Sequence, residues 1–124
     1  MANPNIVNVA AIYGNTSSTS LTGTSATSVA SNAASSGKVY KIGSLVVANV
    51  SGSAATITIN LYSAAALGGT GVAIAYQISV PANASLVVID KTTPMYLLED
   101  KSIGAIAGTA NALTVTASWE ELNA

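Results

Sequence analysis

The segment "ATITINLY", residues 55–62, sets Ile57, Ile59 and Leu61 on one side of an extended chain and Thr56, Thr58, Asn60 and Tyr62 on the other. Successive side chains of a strand point to opposite faces, so this alternation specifies a strand with one buried side. "VAIAYQISV" repeats the pattern, with Val72, Ile74, Tyr76, Ile78 and Val80 on the face expected to be buried. "LTVTASWE" repeats it again with Leu113, Val115, Ala117 and Trp119. "SGSA", "ALGGTG", "PANA", "KTTP", "LEDK" and "GTANA" separate the runs, rich in residues that tolerate turn dihedrals. No segment carries a helical period. Short strands at regular spacing predict an all-β fold, an antiparallel β-sandwich or jelly roll of about eight short strands.

The remaining runs are less regular. "KVYKIGSLVVANV" reads as a long central strand in which Gly43 marks a bulge or corner that would let one strand serve two sheets. "SLVVID" is a second mostly apolar run. "IVNVAAIY" is expected as the first strand, supplying Ile6, Val9 and Ile12. Residues 14–37 are nearly all Ser, Thr, Ala, Gly and Asn, which fits either a disordered linker or a strand near Thr24 to Ala30 between two loops; the strand is preferred. A length of 124 residues predicts one domain over 1–124, large enough to bury about two-thirds of the surface its unfolded chain exposes. "MANPN", residues 1–5, reads as an extended N-terminal arm.

Charge decides which partners are open to such a chain. Only 7% of residues are charged and the net charge is -1, against about 25% charged residues in ordinary soluble domains. Four lysines and no arginine give no electrostatic grip on phosphates, so no nucleic acid and no anionic membrane surface is expected as a partner. No run approaches the roughly 18 apolar residues of a membrane span, and the start has no basic n-region followed by an apolar h-region, so synthesis without Sec export is expected. The Asn-x-Ser/Thr matches at Asn15, Asn49 and Asn83 are what a Ser/Thr-rich chain generates by chance.

Catalysis finds little to work with. With no histidine, cysteine or arginine, Ser-His-Asp triads, Cys-His pairs and the usual zinc ligand sets are excluded. Asp90 with Glu99 or Asp100 could meet across neighbouring turns as a carboxylate pair for glycoside hydrolysis or calcium, but each reads better as a solvated turn charge, Asp90 beside Lys91 and Asp100 beside Lys101. "SSGKV" lacks the glycine that a phosphate-binding loop needs where Asn32 stands, and Gly68, Gly69 and Gly71 precede a strand rather than a helix. No enzyme activity, cofactor or metal is expected. The scattered aromatics Tyr13, Tyr40, Tyr62, Tyr76, Tyr96 and Trp119 read as a ring at a core margin or subunit interface in preference to a carbohydrate platform, although Tyr62 lies opposite Ile57 and Ile59.

The succession "SNAASSGKVYKIGSLVVANVSGSAATITINLY", "ISVPANASLVVIDKTTPMYLLEDKSI" and "NALTVTASWEE" resembles the small β-sandwich virion proteins of tailed bacteriophages, including cyanophages, over about residues 6 to 121. The resemblance implies a capsid decoration or cement protein at the virion surface, made in the host cytoplasm and working as a homotrimer with the major capsid protein or other virion proteins as partners. It leaves open a tail, baseplate or fibre-associated part; a carbohydrate-binding adhesin is the remaining alternative. No functional residue is implied by it. Polar arms without an apolar stripe gain order mainly by lying on a partner, so Asn3, Pro4, Asn5, Thr24, Thr27 and Tyr62 are the candidate intersubunit or shell contacts. A Ser/Thr surface suits dense packing because it has little side-chain entropy to lose.

Overall fold

The structure, a computed structural model, describes Val7 and residues 9–123. Nine strands form among them: β1 (Ala11–Ser20), β2 (Thr27–Asn32), β3 (Lys38–Asn49), β4 (Ala55–Tyr62), β5 (Gly71–Val80), β6 (Ser85–Ile89), β7 (Met95–Leu97), β8 (Lys101–Ala107) and β9 (Leu113–Asn123). They build two antiparallel sheets, one ordered β1-β9-β3-β6 with β7 also on β3, the other β2-β8-β4-β5. The chain changes sheet at almost every connection, which is the double Greek-key winding of a jelly roll and rules out the immunoglobulin order. β6 and β7 lie end to end along β3, β6 opposite Leu45–Ala48 and β7 opposite Tyr40–Ile42, so one strand position is split by the turn at 90–94.

The two sheets close over Ile42, Leu45, Val47, Ile57, Ile59, Ile103, Leu113 and Val115, all essentially without solvent contact. Ile57 and Ile59 point inward as their alternation requires, and Leu113, Val115 and Ala117 do the same on β9. Burying an Ile or Leu side chain contributes about 1.5–3 kcal/mol, so this layer is the main stabilising term. Asn side chains close both ends. Asn32 donates to Lys38 O (2.9 Å) and Leu97 O (3.1 Å) at one end, and Asn49 donates to Ser53 O and Val80 O (2.9 Å each) at the other. The expected turn segments fall between strands except at their last residues Gly71 and Lys101, which open β5 and β8, and Asn83, Asp100 and Asn111 take positive φ in the turns.

Several expectations are corrected. The first strand begins at Ala11 and takes in the Ser/Thr stretch to Ser20; Val9 precedes it, Ile12 is exposed, and Ile6 lies outside the described residues. β9 makes the difference, pairing with β1 without interruption from Ala11↔Asn123 to Ser20↔Thr114. The strand anticipated at Thr24 to Ala30 is β2, beginning three residues later. Gly43 does sit at a register shift, between Ile42 and Ser44, but β3 stays in one sheet. β5 departs most. Of its five supposed core residues only Val80 is buried: β5 is the edge of its sheet, and its two register shifts against β4 place Ala75 rather than Tyr76 opposite Ile59. At one of them Gln77 takes φ 47° and its N–H donates to Thr58 Oγ1 at 3.0 Å.

Candidate assembly surfaces

Glu99, Asp100, Asp90, Lys38 and Glu121 are tied into the fold. Glu99, read from sequence as a solvated turn charge, is 7% exposed, and its Oε2 accepts the Gly37 N–H at 2.9 Å. Asp100 Oδ1 accepts the Ala65 N–H at 3.1 Å, pinning the β4–β5 loop. Asp90 accepts from the Thr92 N–H at 2.9 Å and from its hydroxyl, and these bonds hold its carboxyl below the ordinary range. Lys38 Nζ meets Glu121 Oε1 at 2.7 Å, which raises the Lys38 pKa through hydrogen bonding and charge attraction, while Asn15 donates to the other Glu121 oxygen at 3.2 Å. Among the described residues no three His, Cys, Asp or Glu side chains gather where a metal ion would bind. No described helix is long and apolar enough to cross a membrane.

Of the candidate contact residues, Thr27 and Tyr62 meet around Gly104, where a Cβ would lie 3.4 Å from Thr27 O and 2.8 Å from Tyr62 Cε2. Asn3, Pro4 and Asn5 lie outside the described residues. Thr24 is exposed in the β1–β2 loop and Thr27 opens β2 half-buried, opposite Ala105. Tyr62 ends β4 and is half-buried rather than free. Its ring covers Gly104: a Cβ there would come within 2.8 Å of Tyr62 Cε2 and 2.7 Å of Leu67 Cδ2. Leu67 reaches that spot because its φ is 62° and its N–H donates to Ser102 Oγ at 2.9 Å. Beside Tyr62, a small open groove of about 190 Å³ is lined by Leu61, Ser63, Thr70, Val72 and Lys101. Tyr40 and Trp119 stack with centroids 5.7 Å apart, both packed against the core margin.

Two lateral sides of the sandwich remain, and sequence reasoning missed both. On the β5/β6 side Val72 (65%), Tyr76 (66%) and Val87 (56%) are largely exposed, with Ile74 and Ile78 less so. No charged residue occurs between Gly71 and Ile89. The register sets Val87 opposite Val46 on the outer face of its sheet, and Val72 and Ile78 opposite Leu61 and Ile57 at the edge of the other, so apolar side chains from both sheets line this side. On the opposite side β1 forms an edge with no charge, no proline and no buried residue. The signal for the first side lay in the long uncharged run; the side chains were visible but their direction was not.

No protein-family model matches the sequence, and no curated protein matches it significantly. Among solved structures, a chain of Bacillus endospore appendages, described as a novel family of disulfide-linked pili, is similar with a TM-score of 0.50 and 17% identity, over 99% of this chain and 90% of that one. Two structures of infectious bursal disease virus are more remote. The Gx strain gives a TM-score of 0.47 at 14% identity, and the T13 viral particle gives 0.49 at 11%. Both alignments cover 91% of this chain but only 33% and 31% of the viral chains. At these identities the likeness is one of fold.

Proposed function

We propose that this chain is a non-enzymatic structural subunit of a virion, a decoration or cement protein that binds the assembled shell and stabilises it. The uncharged, apolar β5/β6 side carries the reading, because such a surface has no chemistry to perform and is favourable only when covered. Three copies converging these sides on one axis would cover it, giving the homotrimer that the phage resemblance implies. The fold likeness to a pilus chain supports a repeating subunit; with no cysteine, this chain would assemble without disulfides.

Cementing then follows from mass action. A protein that binds the assembled shell but not its separated subunits stabilises each site by about 2.7 kcal/mol at a hundredfold excess over Kd. Residues 1–5, Thr24 and Thr27 are proposed to make shell or intersubunit contacts.

Co-sedimentation of the purified protein with shells stripped of it tests the reading. Saturable binding that raises the temperature of shell opening is expected, and failure to bind contradicts it. Removal of residues 1–5 is expected to weaken binding; unchanged binding would take the arm out of the account.

A further inference from the structure

The sandwich has four edge positions, and the chain treats one of them differently. β2 is 6 residues long and shifts register between Ser28 and Ala30. β5 shifts twice, and the β6/β7 edge is split by a turn and shifted at Leu45/Val46. Bulges, short lengths and interruptions are how natural sheets prevent their edges from accepting further strands. β1 has none of these devices: it runs 10 residues in unbroken register with β9. It also lacks the lysine or proline that otherwise guards an exposed edge.

The β1 groups that β9 does not take can be assigned. The Leu21 N–H donates to Leu113 O at 2.9 Å, and the Val50 N–H donates to Ala112 O at 2.8 Å on the far side of β9. Alternation along an antiparallel ladder from either bond gives the same phase: odd-numbered residues of β1 face β9, and Gly14, Thr16, Ser18 and Ser20 turn their N–H and C=O groups outward. Hydroxyls on the same strand already form cross-strand pairs, Ser18 Oγ with Thr116 Oγ1 at 2.8 Å and Thr16 Oγ1 with Ser118 Oγ at 3.2 Å.

We propose that β1 pairs antiparallel with β1 of a second copy about a two-fold axis, joining two sandwiches into one continuous sheet. Shape selects the partner, since among the described edges of this chain only β1 is regular enough to match β1 along its length. Charge agrees: neither strand carries any, so no like charges meet at any register, and the second strand offers the hydroxyls that extend the Ser/Thr pairs. Because β1 lies on the side of the sandwich away from β5 and β6, the pairing leaves the β5/β6 side free for other contacts. It deepens the structural-subunit reading without depending on a shell being present.

The test uses the full-length purified protein without shells. Native mass spectrometry is expected to show paired copies, and amide exchange is expected to show Thr16 and Ser18 N–H groups protected at least tenfold over exposed amides. Ser18→Pro, which removes an outward N–H, and Ser18→Lys, which places a charge at the seam, are both expected to abolish pairing while circular dichroism and thermal unfolding show a folded sandwich. Fast exchange at Thr16 and Ser18 in the wild type, or pairing that survives both substitutions, would overturn the proposal. Protection that appears only on adding shells would overturn the second copy as occupant. Loss of shell binding with pairing intact would bear on the virion reading alone.

Discussion

Asn49 and Val80 join the two sheets: the buried Asn49 amide, at the end of β3, donates to the Val80 carbonyl at the end of β5 at 2.9 Å. The same amide donates to Ser53 O, and its Oδ1 accepts from the Ser51 N–H and hydroxyl, so one side chain organises the β3–β4 turn and ties it to the opposite sheet. Asn49→Ala removes these bonds and deprives the buried Val80 carbonyl of its amide donor, at a cost of about 1–3 kcal/mol, while Ser53 O keeps the Ser51 hydroxyl. Urea unfolding is expected to show a loss of about 2–4 kcal/mol with an unchanged slope.

Gly104 provides a second stability prediction. Its missing side chain lets Tyr62 and Leu67 lie on the sheet, and a Cβ would press against both at 2.8 and 2.7 Å. Leu67 cannot retreat freely while its positive-φ backbone is held by Ser102. Gly104→Ala is therefore expected to destabilise by about 1–3 kcal/mol through overpacking. Leu67→Ala in the same background should recover part of that loss in thermal unfolding.

Stability should fall at alkaline pH. Lys38 is raised above its ordinary 10.5 by Glu121, and Tyr40 is raised above 10.0 by burial and then by the Glu121 charge. Both hold their protons more tightly when folded, so their contributions are complete below those ordinary values and are lost as pH rises through the higher folded ones. Asp90 works in the opposite sense: lowered from 3.8 by its bonds to Thr92, it contributes above that value and loses the contribution as pH falls through the lower folded one. Denaturant titrations across pH 9 to 12 are expected to show a decline that is shallower in Lys38→Met; equal slopes in the two proteins would contradict the Lys38–Glu121 assignment.

The β5/β6 side should affect assembly without affecting folding. Val72 and Tyr76 are about two-thirds exposed, at 65% and 66%, so Val72→Ser with Tyr76→Ser is expected to change unfolding stability by less than about 1 kcal/mol. Losing an aromatic anchor from an interface commonly costs 2 kcal/mol or more, so self-association at micromolar concentration should weaken by roughly tenfold or more in sedimentation. A wild-type protein that sediments as a stable monomer would contradict both assembly surfaces.

How far these surfaces could be read in advance depended on the range of the interaction. Ile57, Ile59, Leu113 and Val115 were legible because a strand buried on one face records its orientation in its own alternation. β5 misled for the same reason. Val72 to Ile78 alternate just as cleanly, but the bulge opposite Thr58 sets Ala75 rather than Tyr76 opposite Ile59, and at the sheet edge Val72 and Ile78 stay exposed although they pair with Leu61 and Ile57. β1 was hidden because Ser and Thr have weak preferences alone, and its strand depends on β9, whose partner residues lie about a hundred positions away. Glu99 was misjudged likewise, since its partner Gly37 is 62 residues distant. The strand sequence around Tyr62 gave its face correctly but not the Leu67 loop that half-covers it.

Electron cryomicroscopy of whole particles carrying this protein tests the central claim most directly. A virion decoration subunit is expected to appear as sandwich-shaped density repeated over the lattice of the head, with the β5/β6 sides of neighbouring copies facing a common axis. Density confined to the tail or baseplate would contradict that account.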